Sequence, residues 1–283
     1  MLRFAYNTIG CSNHALPDAL EMISEAGYQG VIVTLDVHHM NPLSEDFEAT
    51  AEALKKSLAV NDLAVSFDTG GRFLLDPRDR MEPTLLTPSA ESRARRLDLL
   101  KRAIRICEIC EGEAVIFTTG RPKRGVDQAD AANWLLDGLA QLCDAAGEKN
   151  VTLALEPEPG HMVGKLDDFK VVRDTVKQMT EAPPLRLALD VGHVVASGDR
   201  APHQAVKEFS AVLGGVAVSG MRDGVHAHLP LGEGEVSIPD VLSRLRDVDY
   251  GGLIAVKLPQ ESYRADTLIP SSIDWLLENV PSD

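Results

Sequence analysis

Positive charge is in short supply in this sequence. Against 43 Asp and Glu there are 28 Lys and Arg, a formal net charge of −15 over 283 residues. Such a surface repels phosphate backbones and anionic lipid, so neither nucleic acid nor membrane is expected as a partner, although a local basic pocket could still take an anionic small molecule. Cysteine is scarce too: four in a chain of this length build no disulfide framework. Cys107 and Cys110, in "ICEIC", have redox or zinc spacing but lie inside a helical pattern with no second CxxC, and read as packing residues. The opening Met-Leu-Arg-Phe-Ala-Tyr runs into a strand-like segment without an apolar signal region, which points to a soluble, cytoplasmic protein. Linkers, low-complexity segments and short-period repeats are missing as well. With 44% hydrophobic and 25% charged residues the chain has enough apolar material for a full core, read as one domain over 1–283.

What is present is alternation. Short β-branched runs at 2–8, 30–36, 63–68, 113–119, 151–156, 185–190, 214–219 and 252–257 are separated by amphipathic stretches of helical length near 16–27, 46–60, 90–110, 127–148, 167–178, 201–211, 237–247 and 270–279. The strand runs are almost continuously apolar, as in a parallel sheet covered on both faces, and this βα repeat favours a (β/α)8 TIM barrel over a doubly wound sheet. Polar residues tip the choice. Asn7, Asp36, Asp68, Glu156, Asp190 and Lys257 each close a strand run, and in a closed barrel such ends converge on one mouth. The irregular stretch 69–91 carries Arg72, Arg78 and Arg80 and is long enough to form a lid or substrate wall.

Several groups have chemical potential. Glu156 ends "ALEPEPG", whose prolines stiffen the exit and turn Glu158 away; a carboxylate there needs a cation or hydrogen bonds, unless it is only a surface loop residue. "LDVGH" sets Asp190 and His193 three residues apart across a glycine, either as two ligands facing one ion or as a helix cap and a packed histidine. His226 and His228, in "HAHLPLGEGEV", chelate if the loop after the seventh strand is turned, and His38 with His39 makes another pair. Lys257, in "GGLIAVKLP", is the one cation among these strand ends.

Taken in order, "LEPEP", "LDVGH", "HAHLPLGEGEV" and "GLIAVKLP" resemble the xylose-isomerase-like TIM barrels, which include sugar isomerases and epimerases, inosose dehydratases and the type IV endonucleases. The resemblance spans essentially the whole chain. It implies a divalent metal, Mn, Mg, Co or Zn, held by a glutamate after strand five, an aspartate after strand six, a histidine after strand seven and a glutamate after strand eight. Glu156 and Asp190 match the first two positions; Ser219 or Gly220 and Lys257 stand at the others. Two arrangements follow from these departures. Either a shifted metal is held by His193, His226 and His228, as at one zinc site of the endonucleases, or the Lys257 ammonium sits between Glu156 and Asp190 in place of the ion.

The function implied is isomerisation, epimerisation or dehydration of a small sugar, polyol or related carbonyl compound. Glu156 would act as base, His193 or Lys257 as acid or electrophile, and Asn7, Arg72 and Arg222 as substrate contacts; the metal set is Glu156, Asp190, His193, His226 and His228. The resemblance also implies a homodimer. The alternative is a barrel that has lost catalysis and serves as a ligand-binding or partner subunit.

Overall fold

The computed structural model describes residues 1–222 and 225–280. In chain order the strands are β1 (Arg3–Asn7), β2 (Gly30–Thr34), β3 (Ala64–Asp68), β4 (Val115–Phe117), β5 (Leu153–Leu155), β6 (Arg186–Asp190), β7 (Leu213–Val218), β8 (Gly220–Arg222), β9 (Val225–Leu229) and β10 (Leu253–Val256). β1 to β7 and β10 form one closed parallel barrel in which β10 pairs with both β7 and β1, while β8 and β9 make a separate antiparallel hairpin. The helices are α1 (Leu16–Glu25), α2 (Phe47–Val60), α3 (Ala90–Ile109), α4 (Gln128–Glu148), α5 (Leu166–Val176), α6 (Val191–Ala196), α7 (Pro202–Phe209), α8 (Ile238–Asp247) and α9 (Ala265–Asn279). The chain is thus a (β/α)8 TIM barrel. Among the described residues no helix is long and apolar enough to cross a membrane.

Side-chain alternation along the strands explains where the chemistry lies. Large residues such as Tyr6, Phe67, Leu155, Leu189 and Val256 belong to the main core between sheet and helices. Their neighbours in sequence point the other way: Ala5, Ile32, Leu253 and Ala255 form one small cluster inside the barrel, and Ala114, Ala154 and Ala188 form another. The next inward position on each strand is polar. "FAYN", "VSFD", "LALE", "LALD", "VAVS" and "IAVK" each read large, small, large, polar, which brings Asn7, Asp68, Glu156, Asp190, Ser219 and Lys257 to one level, all buried. Small side chains below leave room at the axis, and the layer above fills it with charge.

The elements differ from the expected ones in four places. After β6 there are two helices, not one at 201–211, because Asp190 caps a new helix immediately: its Oδ1 accepts from the backbone N–H of Gly192 at 2.8 Å and of His193 at 3.2 Å. Gly192 lets the Met221 side chain approach closely, since a Cβ there would lie 2.5 Å from the Met221 methyl group. The segment holding His226 and His228 is β9 of a hairpin, not a turned loop. β2 ends at Thr34, so Asp36 falls in the following loop, where its carboxylate accepts from the N–H groups of His38 and His39. α9 begins at Ala265 with Pro270 inside it; the buried face of Leu268, Ile269, Ile273 and Leu276 outweighs the one helical hydrogen bond that the proline forfeits. Cys107 and Cys110 are buried thiols of α3 and its C-terminal cap, and burial pushes both up to about 12, as packing residues should be.

Candidate active site

Lys257 follows directly on β10 and reaches across the barrel axis. Its Nζ donates to Glu156 Oε1 at 2.6 Å and lies 3.5 Å from Asp190 Oδ2. Of the two sequence-derived arrangements, the ammonium between the carboxylates is therefore present. Burial alone would weaken the ammonium, but Glu156, Asp190 and Asp68 outweigh it and raise Lys257 above the ordinary lysine range. A lysine held this firmly protonated serves as a fixed positive charge and hydrogen-bond donor, not as a nucleophilic amine. Burial pushes the Glu156 carboxyl up to about 7, reinforced by Asp190 and Asp68 and countered by Lys257 and His193. Asp190 behaves oppositely. Burial would raise it, yet the charge that His193 and His228 carry when protonated, Lys257 and the His193 backbone N–H together hold it well below the usual carboxylate range.

Two histidines flank this group. His193, on α6, places Nδ1 3.1 Å from the Pro157 carbonyl and 3.4 Å from Glu156 Oε1. A carbonyl can only accept, so Nδ1 carries a proton, and Nε2 lies 3.8 Å from Asp190 Oδ2. His228, on β9, lies with Nδ1 3.0 Å from Ser219 Oγ and 4.0 Å from Asp190 Oδ2, and its ring meets that of His193 edge-on at 5.7 Å. One ligand atom from each of Asp190, His193 and His228 falls within 4.8 Å of the others. Asp190 Oδ2 is buried with no hydrogen-bond partner. That oxygen, beside two imidazoles, fits a divalent ion, and the three residues form a candidate metal triad. Lys257 competes for the same oxygen.

Above this cluster opens a cavity of about 510 Å³ lined by Glu156, His193, His228 and Lys257 at its floor, within the usual range for small-molecule sites. Its walls come from the segment between β3 and α3, including Arg72, Arg80 and Glu82, and from the loops after β4 and β5, including Arg121, Glu158 and His161. The long irregular segment thus forms one wall of the cavity. Phe73, within it, adopts a left-handed conformation (φ 59°) and donates its N–H to the Arg80 carbonyl, which folds the segment back on itself.

The expected residues are thus distributed unevenly. Glu156, Asp190, His193, His228 and Lys257 meet at one point, and Arg72 stands on the cavity wall. Asn7 lies beneath, buried, donating to Asp68 Oδ2 at 3.2 Å and accepting from Thr34 Oγ1 and the Ile9 N–H through Oδ1; it lines only the small void under the mouth. Arg222 is exposed at the end of β8, apart from the cavity lining. The side chain of His226 lies outside the described residues. Glu158, expected to turn away, lines the cavity.

Two further residues were not singled out from sequence. His161 accepts from the Gly120 N–H through Nδ1 at 3.2 Å, which leaves the Nε2 proton 3.6 Å from Glu158 Oε2; burial lowers its pKa. Arg96, on α3, is buried, and burial brings its guanidinium down to about 10 against the attraction of Glu82 and Asp68.

A closed barrel with buried acids, imidazoles and a cation at the C-terminal mouth defines a TIM-barrel protein of the kind whose site is built from strand ends. Residues 9–279 match the xylose isomerase-like TIM barrel family, and the chain belongs to it. No curated protein matches the sequence. Among solved structures, D-allulose 3-epimerase from Methylomonas sp., in complex with D-allulose, is 15% identical with a TM-score of 0.76, covering 98% of this chain and 97% of its own. The IOLI protein with a bound zinc atom is 16% identical with a TM-score of 0.77, over 99% and 98%. The probable 3-DHS dehydratase AsbF of Bacillus anthracis is 14% identical with a TM-score of 0.76, over 98% and 99%. At these identities the likeness is one of fold.

Proposed function

We propose that this barrel is an isomerase- or epimerase-type enzyme that moves a proton at the carbon next to the carbonyl of a small sugar, polyol or related compound. The observation that carries this reading is the buried Lys257–Glu156 contact at the cavity floor. It sets a carboxyl that titrates near neutrality beside a permanent cation, 2.6 Å away. Lys257 occupies Oε1 of Glu156, so Oε2 is the oxygen left to take the proton from carbon. Loss of that proton gives an enolate, whose negative oxygen the ammonium stabilises in a site with little water. Returning the proton to the opposite face of the same carbon is epimerisation; returning it to the neighbouring carbon after an oxygen-to-oxygen proton shift is isomerisation. If a β-hydroxyl instead leaves with a proton, the product is water and an enone. His193 is placed to exchange a proton through Nε2.

Asp190, His193 and His228 would hold a divalent ion; two imidazoles and one carboxylate suit Mn²⁺, Co²⁺ or Zn²⁺ better than Mg²⁺. When bound, such an ion acts as a Lewis acid on a substrate oxygen. Turnover of a panel of ketoses and inososes, with and without added Mn²⁺, tests the proposal. Glu156→Gln and Lys257→Ala should each abolish it, and turnover that survives alanine at both Glu156 and Asp190 would sink it.

A second reading is a barrel that binds a ligand or partner without converting it. Behind it stands one observation, that Lys257 occupies the strand-eight position where the family resemblance implies a metal-binding glutamate. No turnover of the panel, together with a stable complex with another protein, would favour it.

A further inference from the structure

The cavity walls carry charge that the rest of the molecule does not explain. Over the whole chain acids outnumber bases to a net −15, yet the cavity lining has as many basic as acidic side chains. Two of its cations have partners: Lys257 sits on Glu156, and Lys123 Nζ lies 2.8 Å from Glu82 and 3.8 Å from Asp79. The three guanidinium groups of the lining, Arg72, Arg80 and Arg121, have no carboxylate within 4 Å among the described residues. Two acids of the lining are already engaged: Asp68 accepts from Asn7 and the Gly70 N–H, and Glu158 lies 3.6 Å from the His161 ring.

Arg72 is the most constrained of the three. It is partly buried, its Nε is buried without a hydrogen-bond partner, and the charge it meets is that of Arg80, which together with burial lowers its pKa. Two like charges gathered at a cavity wall, one with an unanswered buried donor, are unfavourable unless something negative joins them. Arg121 lines the same cavity from the loop after β4, lying over Gly160, where a Cβ would come 3.9 Å from its Cζ.

We propose that Arg72, Arg80 and Arg121 form a subsite for an oxyanion, a carboxylate or a phosphate ester, carried by the substrate at the end away from Lys257. This rests on the proton-transfer reading above, which places the reacting carbon over Glu156. The planar guanidinium fork matches the paired oxygens of either anion, and in a chain this acidic three unpaired arginines focus attraction on one spot. The substrate class is then an anionic sugar or polyol derivative instead of a neutral ketose.

Calorimetric titration tests this without reference to turnover. The ligands are D-fructose, D-fructose 6-phosphate, D-glucuronate and inorganic phosphate, and the proteins are wild type, Arg72→Ala, Arg80→Ala, Arg121→Ala and Arg72→Lys, each checked for native circular dichroism. At least one organic anion should bind at least tenfold more tightly than D-fructose, by roughly the worth of one charge-assisted hydrogen bond. Each alanine variant should lose roughly tenfold, Arg72→Lys should recover part of the loss, and binding should weaken with added salt. Whether the phosphate ester or the carboxylate binds more tightly decides the source of the anion. Arg80 and Arg121 are exposed, so their variants read out binding even if Arg72→Ala does not fold. The proposal is overturned if D-fructose binds as tightly as both anions, if nothing binds, or if Arg80→Ala/Arg121→Ala keeps full affinity for the anions. Anion binding that persists while Glu156→Gln leaves turnover intact would refute the proton-transfer role and leave the subsite standing.

Discussion

Two hollows of almost equal volume lie at opposite ends of the barrel, about 530 Å³ at the N-terminal end and about 510 Å³ at the C-terminal mouth. Both contain charged and polar groups, but the groups are satisfied differently. At the N-terminal end Arg186 donates to the Leu213 carbonyl at 3.0 Å and the Tyr250 hydroxyl to the Leu253 carbonyl at 3.4 Å. Backbone dipoles there neither titrate nor move. At the mouth Lys257 and Glu156 are hydrogen-bonded to each other, and the ammonium also lies 3.5 Å from the Asp190 carboxylate. Groups bound to each other shift one another's proton affinities, which is what acid-base chemistry needs. Size therefore does not distinguish the two ends, whereas the burial of paired charge does: Arg3 and Glu113 pair at 2.7 Å beside the N-terminal hollow but stay about one-third exposed, while Lys257, Glu156 and Asp190 are buried.

The sharpest way to break this contrast is to delete the cation. In Lys257→Ala two buried carboxylates lose their counter-charge, and removing one side of a buried ion pair costs ~3–5 kcal/mol. Urea unfolding should show that loss alongside abolished turnover. Converting the partner too, in Lys257→Met/Glu156→Gln, should return much of the stability and none of the activity. A single variant that stays as stable as wild type would mean the mouth charges are solvated like surface ones, and the contrast between the ends would fail.

A second effect concerns protons. With Glu156 pushed up to about 7, turnover that needs its carboxylate should fall as pH drops through 7, and Glu156→Gln should have no such inflection. Stability moves the other way for this group. A carboxyl whose folded pKa is raised contributes most below its ordinary value near 4.5 and loses that contribution as pH rises through about 7. Asp190, held low, contributes above its ordinary 3.8 and loses the contribution as pH falls below that. Melting temperatures of wild type, Glu156→Gln and Asp190→Asn across pH would separate the two. A flat difference between wild type and Glu156→Gln from pH 4 to pH 8, or so, would contradict a carboxyl titrating near neutrality.

How much of this was legible in the sequence depends on which force decides each feature. The barrel was, because alternation of apolar runs with amphipathic helices is a local signal. Glu156, Asp190 and Lys257 were too, since a polar residue closing an apolar strand has few places to go, and His193 follows Asp190 by three residues. His228 was named without its setting. Its approach to Asp190 depends on the β8–β9 hairpin, whose pairing is not written in any local period. Asn7 ends its strand like the others, but the amide is consumed by Asp68, Thr34 and Ile9, and only the folded neighbourhood shows that. His161 and Arg96 lie off the strand ends and carry no motif. The repeated large-small-large-polar tetrads, from "FAYN" to "IAVK", were a signal available in the sequence that would have chosen Ser219 over Gly220 at the strand-seven position.

Ser219 gives a smaller, cleaner effect. Its Oγ, 3.0 Å from His228 Nδ1, orients a ring that also neighbours Asp190 and His193. Ser219→Ala should lower the affinity for added Mn²⁺ or Zn²⁺ roughly tenfold, as loss of a partner that orients a ligand does, with folding unchanged. Isothermal titration reads this directly. Equal affinity in the two proteins would remove His228 from the triad.

The smallest effect is expected at the other end, and it carries the control for all the rest. Arg186 lines the N-terminal hollow, and its side chain packs over Gly214, where a Cβ would come within 2.6 Å of Arg186 Cβ. Its hydrogen bond to Leu213 joins the start of β6 to the start of β7. Because the arginine is only partly buried, Arg186→Ala should cost about 1 kcal/mol, the lower end for a charge-assisted bond. Turnover, its pH profile and anion affinity should all match wild type, since no group at the mouth touches it. Chemical denaturation and steady-state kinetics on one preparation suffice. Should Arg186→Ala instead change the pH profile assigned to Glu156, charge at the two ends would be coupled through the barrel interior, and the layer of alanines between them would not insulate the mouth.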